Sequence, residues 1–292
     1  MSVSMSVSVA TLSMSSVSST VDQRIEFLNF ALHLAKSAEA AIMPHFREHT
    51  VRFKSDGTEV TIADQQGEQA MRSLITERYP THDILGEEYG ESDAGAKDTD
   101  KSSYRWVLDP IDGTAWFTLG VPMFGTLIAL LENGEPTVGV IHFPGLKETV
   151  YAARGHGCWY QVPDRDPVRV TVASPVELSG AIASATAVHS SDIQSKPGEI
   201  PYKLTDLIHG VQKFRFCSDC QQHALVARGK LHIAVDTLMN PWDVAALIPC
   251  VEEAGGKVTN LQGHRENIVF GGSLLSTCGE PLHGEVLRML EP

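Results

Sequence analysis

The sequence lacks an apolar run of the roughly eighteen residues that a membrane span needs, and it is poor in cationic side chains. Lys and Arg number 23 against 36 Asp and Glu, which gives a formal net charge of -13. We therefore expect no membrane-spanning helix, no nucleic-acid polymer and no anionic membrane surface as a partner. An anionic small molecule stays compatible with this charge if metal ions or backbone N–H groups neutralise it locally.

Cysteine is also scarce: the chain has Cys158, Cys217, Cys220, Cys250 and Cys278. An odd, scattered set predicts a reducing compartment, which here means the cytoplasm. Cys217 and Cys220 form a C-x-x-C pair, but no second pair accompanies it, so a redox or zinc role is not favoured.

The first residues lack basic side chains altogether. Residues 1–20 are almost entirely Ser, Val, Met and Thr, without the basic region and apolar core of a secretory signal. A disordered leader is the expectation, and a plastid location is the alternative if this segment is a transit peptide.

What the sequence does contain is a chemically dense stretch in its first half. Trp106 to Leu108 end a predicted buried strand, and Asp109 and Asp112 follow on either side of Pro110. Proline restricts the backbone here, so both carboxylates are expected to point into one small volume. Two anionic groups so close repel each other unless a cation lies between them. An ordinary surface turn is the alternative interpretation.

Three further carboxylates stand at the ends of predicted elements. Asp64 precedes a helix over 65–79, where an N-cap belongs. Glu87 ends a short strand, either as part of a surface loop or as a third oxygen ligand for the same cation. Asp243 follows the strand at 233–235 and begins a helix, where the helix dipole favours a carboxylate in any case.

The apolar spacing also predicts how the chain is divided. It indicates a first helix from Val21 to about His49, and Asn133-Gly134 is a strong hairpin signal between two apolar strands. A change of composition near 175–180 suggests two parts. The first, 21–178, is α+β and carries most of the candidate metal ligands, and the second, 179–292, is α/β.

Four segments in this order resemble the inositol monophosphatase family. They are Gly86-Glu87-Glu88, Asp109-Pro-Ile-Asp-Gly-Thr114, Trp242-Asp243-Val-Ala-Ala246 and Glu253-Ala-Gly-Gly256. The resemblance runs from about residue 22 to 290. It implies a layered αβαβα sandwich, magnesium-dependent hydrolysis of a small-molecule phosphate monoester, and a homodimer.

The resemblance also implies roles for single residues. The metal ligands, for two or three Mg²⁺ ions, would be the carboxylates of Glu87, Asp109, Asp112 and Asp243 and the backbone carbonyl of Ile111. Asp64 and Thr114 would polarise the attacking water. The backbone amides of Gly113, Thr114 and Ala115 would hold the phosphate. These roles agree with the preference of magnesium for hard oxygen ligands.

Within the family, the chain is most similar to the histidinol-phosphate phosphatase branch. The similarity lies in Phe124 to Leu130, Asp219-Cys220, residues 224–229 and Pro241 to Pro249. It implies that Asp236 contacts the leaving group, and Asp219 is either a second anionic contact or a helix cap. The expected substrate is L-histidinol phosphate, in histidine biosynthesis. The alternatives are inositol 1-phosphate or another sugar phosphate, a 3'(2'),5'-bisphosphate nucleotide, and a catalytically silent regulatory member.

The chain departs from this branch at three places near the expected substrate. Ala115-Trp116 replaces a pair that often contains Lys, and Ser218 stands where Gly is usual. Gln221-Gln222-His223 replaces an aromatic-Gly-aromatic run. These departures leave the chemistry as expected but put the substrate in question.

Overall fold

The structure is a computed structural model that describes residues 14–48, 51–53, 59–93, 102–199, 201–217 and 219–292. The departure at Ser218 lies outside the described residues. Among the helices that the structure describes, none combines the length and apolar character of a membrane span.

The described residues contain eight α-helices and fifteen strands. The helices are α1 Met14–Ile42, α2 Ile62–Arg78, α3 Thr114–Thr118, α4 Leu204–Gly210, α5 Asp219–Ala227, α6 Pro241–Val244, α7 Leu247–Glu253 and α8 Leu282–Leu290. The first ten strands are β1 Arg52–Phe53, β2 Glu59–Val60, β3 Asp83–Gly86, β4 Gly90–Ser92, β5 Tyr104–Asp112, β6 Gly125–Glu132, β7 Glu135–Phe143, β8 Glu148–Ala153, β9 Cys158–Gln161 and β10 Val168–Val170. The others are β11 Ile182–Ala185, β12 Lys213–Phe216, β13 Ile233–Asp236, β14 Lys257–Thr259 and β15 Leu274–Thr277.

Two large sheets form the frame of the molecule. The first has eight strands in the order β10-β9-β8-β7-β6-β5-β3-β4, and its strands pair antiparallel except for β3 and β5. The second has five strands in the order β12-β11-β13-β15-β14, with β11 parallel to both of its neighbours. The short strands β1 and β2 pair only with each other in the described part of the chain.

Each large sheet is covered on both faces, which gives five layers. Successive strand residues point to opposite faces, so Ile128 packs toward α1 and α2 while Leu127 packs toward α5 and α7. In the second sheet, Leu274 faces the same middle helices and Leu275 faces α4 and α8. Strands buried on both faces are continuously apolar. The layered αβαβα architecture expected from the sequence is confirmed.

The first helix differs from its prediction at both ends. It begins at Met14 rather than at Val21, so residues 14–20 are helical and do not belong to a disordered leader. Residues 1–13 lie outside the described part. At its other end the helix stops at Ile42, because Pro44 cannot supply the N–H that an α-helix needs, and a 3₁₀ turn follows.

The predicted hairpin between β6 and β7 is present. Asn133 and Gly134 have φ values of 53° and 84°. Two successive positive φ values are what a two-residue hairpin loop requires, and Asn-Gly adopts them at low cost.

All strands of the first sheet precede residue 171, and all strands of the second follow residue 181. The predicted division at 178/179 falls between them. The middle helices α5 and α7 come from the second part and pack on both sheets, so the limits of two independent domains stay a prediction. All five cysteines are free thiols.

Candidate active site

The two aspartates of the central stretch leave β5 at a β-bulge. Asp109 pairs with Leu127 and Asp112 with Gly125, so three steps along β5 match two steps along β6. In a regular strand, residues three apart point to opposite faces. The extra residue in the bulge cancels that inversion and lets both carboxylates reach one cluster. The Thr126 hydroxyl donates to the Pro110 carbonyl at 2.8 Å, which ties the bulge to β6.

Asp109, Asp112 and Asp243 form one carboxylate cluster, with an oxygen from each within 4.8 Å of the others. Each of them accepts a hydrogen bond from a backbone N–H. The donors are Ile111 N to Asp109 Oδ1 at 3.0 Å, Cys220 N to Asp112 Oδ2 at 2.6 Å and Asn240 N to Asp243 Oδ2 at 2.7 Å. Side chains of β5 and α6 are thereby fixed by main-chain groups of three separate segments.

Burial and mutual repulsion destabilise the ionised form of these carboxylates. Burial, followed by the charges of Glu87, Asp112 and Asp243, raises the pKa of Asp109 well above its ordinary value. Burial and the neighbouring carboxylates also raise the pKa of Asp112, and they bring the pKa of Asp243 to about 7. Hard oxygen donors that repel one another in a buried site fit a divalent cation such as Mg²⁺.

Asp64 is not the N-cap of α2, because Thr61 occupies that position. The Asp64 carboxylate lies at the third helical residue, and its Oδ2 accepts from both N and Oγ1 of Thr61 at 2.7 Å. This is a capping box, a motif that places the acid one turn inside the helix. The arrangement leaves Oδ1 to accept from the Thr114 hydroxyl at 3.4 Å. Burial raises the pKa of Asp64 above its ordinary value.

Glu87 lies in the turn after β3, beside the carboxylate cluster, where its charge helps to raise the pKa of Asp109. The fully buried Glu68 on α2 stabilises this turn, because its carboxylate accepts a hydrogen bond from the Glu88 N–H at 2.7 Å. A side chain at Gly86 would collide with the Glu68 carboxylate. The glycine of this motif therefore makes room for the group that holds the turn.

Gly113 connects β5 to the short helix α3. Its φ of 86° is one that glycine adopts readily, and a Cβ there would lie 2.8 Å from the Asp219 carboxylate. Thr114 begins α3, and its hydroxyl also lies 3.0 Å from the Ile111 carbonyl. Asp219 therefore lies directly over the glycine turn, and its charge contributes to the raised pKa of Asp112.

Residues 109 and 111–115, Glu87, Asp219 and Asp243 line one cleft with a volume of about 620 Å³. Asp64 does not line it and is connected to it through the Thr114 hydroxyl. Its acidic lining residues are Glu59, Glu87, Asp109, Asp112, Asp219, Asp236 and Asp243. Ile111, Gly113, Thr114 and Ala115 line it as well, with Trp116 beside them. Over the described residues, no Lys or Arg lines this cleft. We call the part of the cleft lined by Glu87, Asp109, Asp112 and Asp243 the metal end, because their oxygens are candidate ligands for a cation.

At the other side of the cleft, Asp236 is held by two buried side chains. Gln222 Nε2 lies 2.7 Å and His223 Nε2 lies 2.8 Å from the same Asp236 oxygen, Oδ2. We call these three residues the leaving-group end, after the contact that the family resemblance implies for Asp236. Both Gln222 and His223 have no exposed surface. Their unusual identity is visible in the sequence, but this contact is not, because it joins residues 13 and 14 positions apart on two different elements.

The Gln222 side chain is also partly unsatisfied. Its Nε2 contacts Thr186 Oγ1 and the Val235 carbonyl besides Asp236, whereas its buried Oε1 has no partner among the described residues. Leaving a buried acceptor unpaired costs about 1–3 kcal/mol. Three acceptors around Nε2 fix which way the amide points.

The C-x-x-C pair is not a redox centre in this geometry. Cys220 is buried against Gly125, where a Cβ would lie 2.5 Å from its sulfur. Burial raises the pKa of the Cys220 thiol well above its ordinary value, which disfavours the reactive thiolate.

Comparison with known proteins shows relatives over most of the chain. Residues 23–288 match the sequence profile described as "Inositol monophosphatase family". The histidinol-phosphatase of Chlorobaculum parvum is 37% identical over 256 residues, covering 85% of this chain and 91% of that protein. The histidinol-phosphatase of Mycobacterium tuberculosis is 37% identical over 265 residues, covering 90% and 97%.

Among solved structures, an inositol monophosphatase from Anabaena (Nostoc) superimposes with a TM-score of 0.75 at 30% sequence identity. The match covers 92% of this chain and 96% of the other. The similarity in sequence and the similarity in fold therefore extend over the same nearly complete length.

Proposed function

The chain belongs to the inositol monophosphatase family, and we propose that it is a magnesium-dependent phosphatase that hydrolyses L-histidinol phosphate to L-histidinol and phosphate. Its relatives include named phosphatases, so hydrolysis of a phosphate monoester by a metal-dependent enzyme follows from the family itself. The proposal concerns the metal, the substrate and the place of the reaction in histidine biosynthesis.

The observation that carries the choice of substrate is the acidic lining beyond the metal end. Asp219 and Asp236 add two carboxylates to the cleft, and the described lining offers no Lys or Arg to balance them. Histidinol phosphate carries an ammonium group on its leaving portion, and a cation is what such a lining attracts. Both full-length relatives at 37% identity are named histidinol-phosphatases, which supports the same choice.

The metal end would hold two or three Mg²⁺ ions through Glu87, Asp109, Asp112, Asp243 and the carbonyl of Ile111. The donor set fits, because it consists of hard oxygens whose ionised forms are destabilised by burial and by one another. When bound, such ions supply positive charge that stabilises the phosphate oxygens during displacement.

The protein's own contribution to the chemistry lies in Asp64 and Thr114. The Thr114 hydroxyl is placed between Asp64 Oδ1 at 3.4 Å and the Ile111 carbonyl at 3.0 Å. When it donates toward Asp64, its lone pairs face the cleft and accept from the attacking water. The Asp64 carboxylate then takes up the proton, and the other oxygen stays bound to Thr61.

Backbone groups and assembly complete the proposal. The amides of Gly113, Thr114 and Ala115, at the start of α3, would hold the phosphate. The resemblance implies a homodimer, and the odd, scattered set of cysteines supports a cytoplasmic location.

Inositol 1-phosphate is the second candidate. The Anabaena inositol monophosphatase shares the fold over nearly the whole chain. In addition, an Asp236 carboxylate can accept from a sugar hydroxyl as well as from an ammonium group.

The test is phosphate release with Mg²⁺ from four esters. They are L-histidinol phosphate, inositol 1-phosphate, 3'-phosphoadenosine 5'-phosphate and fructose 1,6-bisphosphate. A preference for L-histidinol phosphate of about a hundredfold or more in kcat/KM is expected. Losing the contact between a charged substrate group and the site reduces transition-state binding more than losing a methylene contact does. Similar rates on the inositol and sugar phosphates would overturn the choice of substrate and indicate a broad phosphatase.

The same panel separates the remaining alternatives. A rate confined to the bisphosphate nucleotide would make the protein a nucleotidase. Binding of inorganic phosphate without turnover of any ester would indicate a silent regulatory member and overturn the enzymatic proposal. Removal of Mg²⁺ by a chelator should abolish release and readdition should restore it.

A further inference from the structure

Gln222 and His223, the residues by which this chain departs from its branch, lie behind Asp236 and are wholly buried. Neither lines the cleft itself. Their effect on a ligand must therefore pass through a residue that does, and Asp236 is that residue.

Both side chains converge on one atom. Gln222 Nε2 and His223 Nε2 lie 2.7 Å and 2.8 Å from Asp236 Oδ2. We propose that Gln222 and His223 are positioning residues that fix the Asp236 carboxylate with Oδ2 inward, so that Oδ1 is presented to the leaving group of the substrate. This inference rests on the proposed function and makes its choice of substrate depend on two named side chains.

The hydrogen bonds set the direction of each donor. An ionised carboxylate only accepts, so the His223 Nε2 atom carries a proton. Its other ring nitrogen, Nδ1, lies 2.8 Å from the Ser276 hydroxyl on β15, which prevents the ring from turning away. The ring is thereby held at both ends, as in other sites where a second contact orients a functional group.

Gln222 shows that this arrangement is not simply good packing. Its amide nitrogen also contacts Thr186 Oγ1 and the Val235 carbonyl, while its buried Oε1 is left without a partner. A buried acceptor that stays unpaired calls for an explanation beyond stability. Holding Asp236 supplies one.

Two inward donors have a consequence for specificity. They occupy Oδ2 and leave the second oxygen of the carboxylate as an acceptor toward the cleft. A leaving group with an ammonium or hydroxyl donor gains from this oxygen. A leaving group without a donor gains nothing, so the two positioning residues should act on preference rather than on hydrolysis in general.

The experiment is a double-mutant cycle on substrate preference, measured with the full-length, Mg²⁺-loaded enzyme. Preference is defined as kcat/KM for L-histidinol phosphate divided by kcat/KM for p-nitrophenyl phosphate, whose leaving group has no hydrogen-bond donor. His223→Leu should lower this preference about tenfold or more, chiefly through KM for L-histidinol phosphate. In an Asp236→Asn background the same change should alter the preference by less than about twofold.

Two further variants keep the test independent of folding. His223→Gln retains a donor near the position of Nε2 and should restore most of the preference. Gln222→Met removes the other donor at nearly constant volume and should lower the preference in the same direction as His223→Leu.

The matched control is His283 on α8, another fully buried histidine whose ring contacts residues of the second sheet. Its ring nitrogens contact Thr259 Oγ1 and Thr277 Oγ1 at 2.9 Å, and it makes no contact with the cleft. His283→Leu should lower the melting temperature and leave the preference unchanged. A purely structural role for His223 would make the two leucine variants behave alike.

The outcomes distinguish this inference from the proposed function. If L-histidinol phosphate is not preferred by the wild type, the proposed substrate fails, and the cycle is run on whichever ester of the panel is preferred. Additive effects in the cycle, or an equal loss on both esters for His223→Leu, would overturn the positioning role whichever substrate is used. Coupled effects confined to the donor-bearing ester would support it.

Discussion

At the metal end of the cleft every aspartate is held by a backbone N–H, whereas at the leaving-group end Asp236 is held by two side chains. Ile111, Cys220 and Asn240 supply the main-chain donors at the first. Gln222 and His223 supply the side-chain donors at the second. A main-chain donor persists through most substitutions, and a side-chain donor is lost with one. If the two ends have the proposed roles, the fold fixes the chemistry, whereas single substitutions can change the choice of leaving group.

The largest effect is expected from Asp112→Asn at the metal end. The variant keeps an acceptor for the Cys220 N–H but loses the charge on which the proposed binding of Mg²⁺ would depend. We expect kcat to fall by about a thousandfold or more, or about 4 kcal/mol of transition-state stabilisation. Phosphate release and titration calorimetry with Mg²⁺ measure the two consequences.

The metal-free Asp112→Asn protein should melt no lower than the wild type, because one of several mutually repelling carboxylates has been neutralised. Undiminished turnover would show that Asp112 is not a metal ligand. A collapse of the fold would show that the backbone donors alone do not hold this end.

A smaller effect is expected from Asp219→Asn, which lies between the two ends. Asp219 sits over Gly113 and influences Asp112, yet it belongs to the acidic lining that the ammonium group would meet. We expect kcat/KM for L-histidinol phosphate to fall about tenfold, equivalent to about 1.4 kcal/mol, because one charge contact is lost. The rate with p-nitrophenyl phosphate, which has no ammonium group, should change much less.

Equal losses on both esters would assign Asp219 to the metal end instead. Asp206→Asn on α4 serves as a control, since it neutralises an acid that does not line the cleft.

The smallest effect concerns His142, which lies on the face of β7 that packs against α1, away from both ends. Its ring contacts Thr149 Oγ1 and Glu39 Oε2 at 2.9 Å and 3.1 Å. Burial, aided by the charge of Lys36, lowers its pKa from 6.5 to about 4. The folded state therefore favours the neutral ring, and this contribution to stability is full above pH 6.5 and is lost as the pH falls toward 4.

Between pH 7 and pH 5.5 this group alone should cost about 1 kcal/mol of unfolding free energy. Denaturant unfolding of wild type and His142→Gln at both pH values isolates the contribution of His142. The carboxylate cluster contributes equally to the pH dependence of stability in both proteins. Substrate preference at pH 7 should be the same in the two. Identical pH dependence of stability would show that His142 does not titrate as described.

The clustering of the carboxylates could be predicted from the sequence because they lie in short local motifs, whereas their role as metal ligands stays a proposal. Asp109, Asp112 and Gly113 are close in the chain, and proline and glycine restrict the backbone between them. The bulge that brings both carboxylates to one face depends on the pairing of β5 with β6, so no local sequence pattern predicts it. Asp64 was predicted as a helix cap and is instead the third residue of a capping box, since Thr61 was not recognised as the cap.

The leaving-group end could be only half predicted. Asp236 was chosen from the resemblance, and the unusual identity of Gln222 and His223 was noted. Their contact with Asp236 and the anchoring of His223 by Ser276, 53 residues away, depend on how α5 packs on β13 and β15. Such long-range pairs leave no periodic signal. The start of α1 was missed for a different reason, because Ser, Val and Thr are weak helix formers and conceal a helix that begins at Met14.

The bulge at Pro110-Ile111 also determines which mutations at position 111 the enzyme can tolerate. Ile111 acts through its main chain, whose N–H donates to Asp109 and whose carbonyl lies 3.0 Å from the Thr114 hydroxyl, so another buried aliphatic residue could replace it. Deletion of Ile111 should not be tolerated. Removing one residue from the bulge would restore regular pairing of β5 with β6 and turn one of the two aspartates to the opposite face of the sheet. In a library of single-codon changes, we expect conservative replacements at position 111 to be recovered and deletions to be absent.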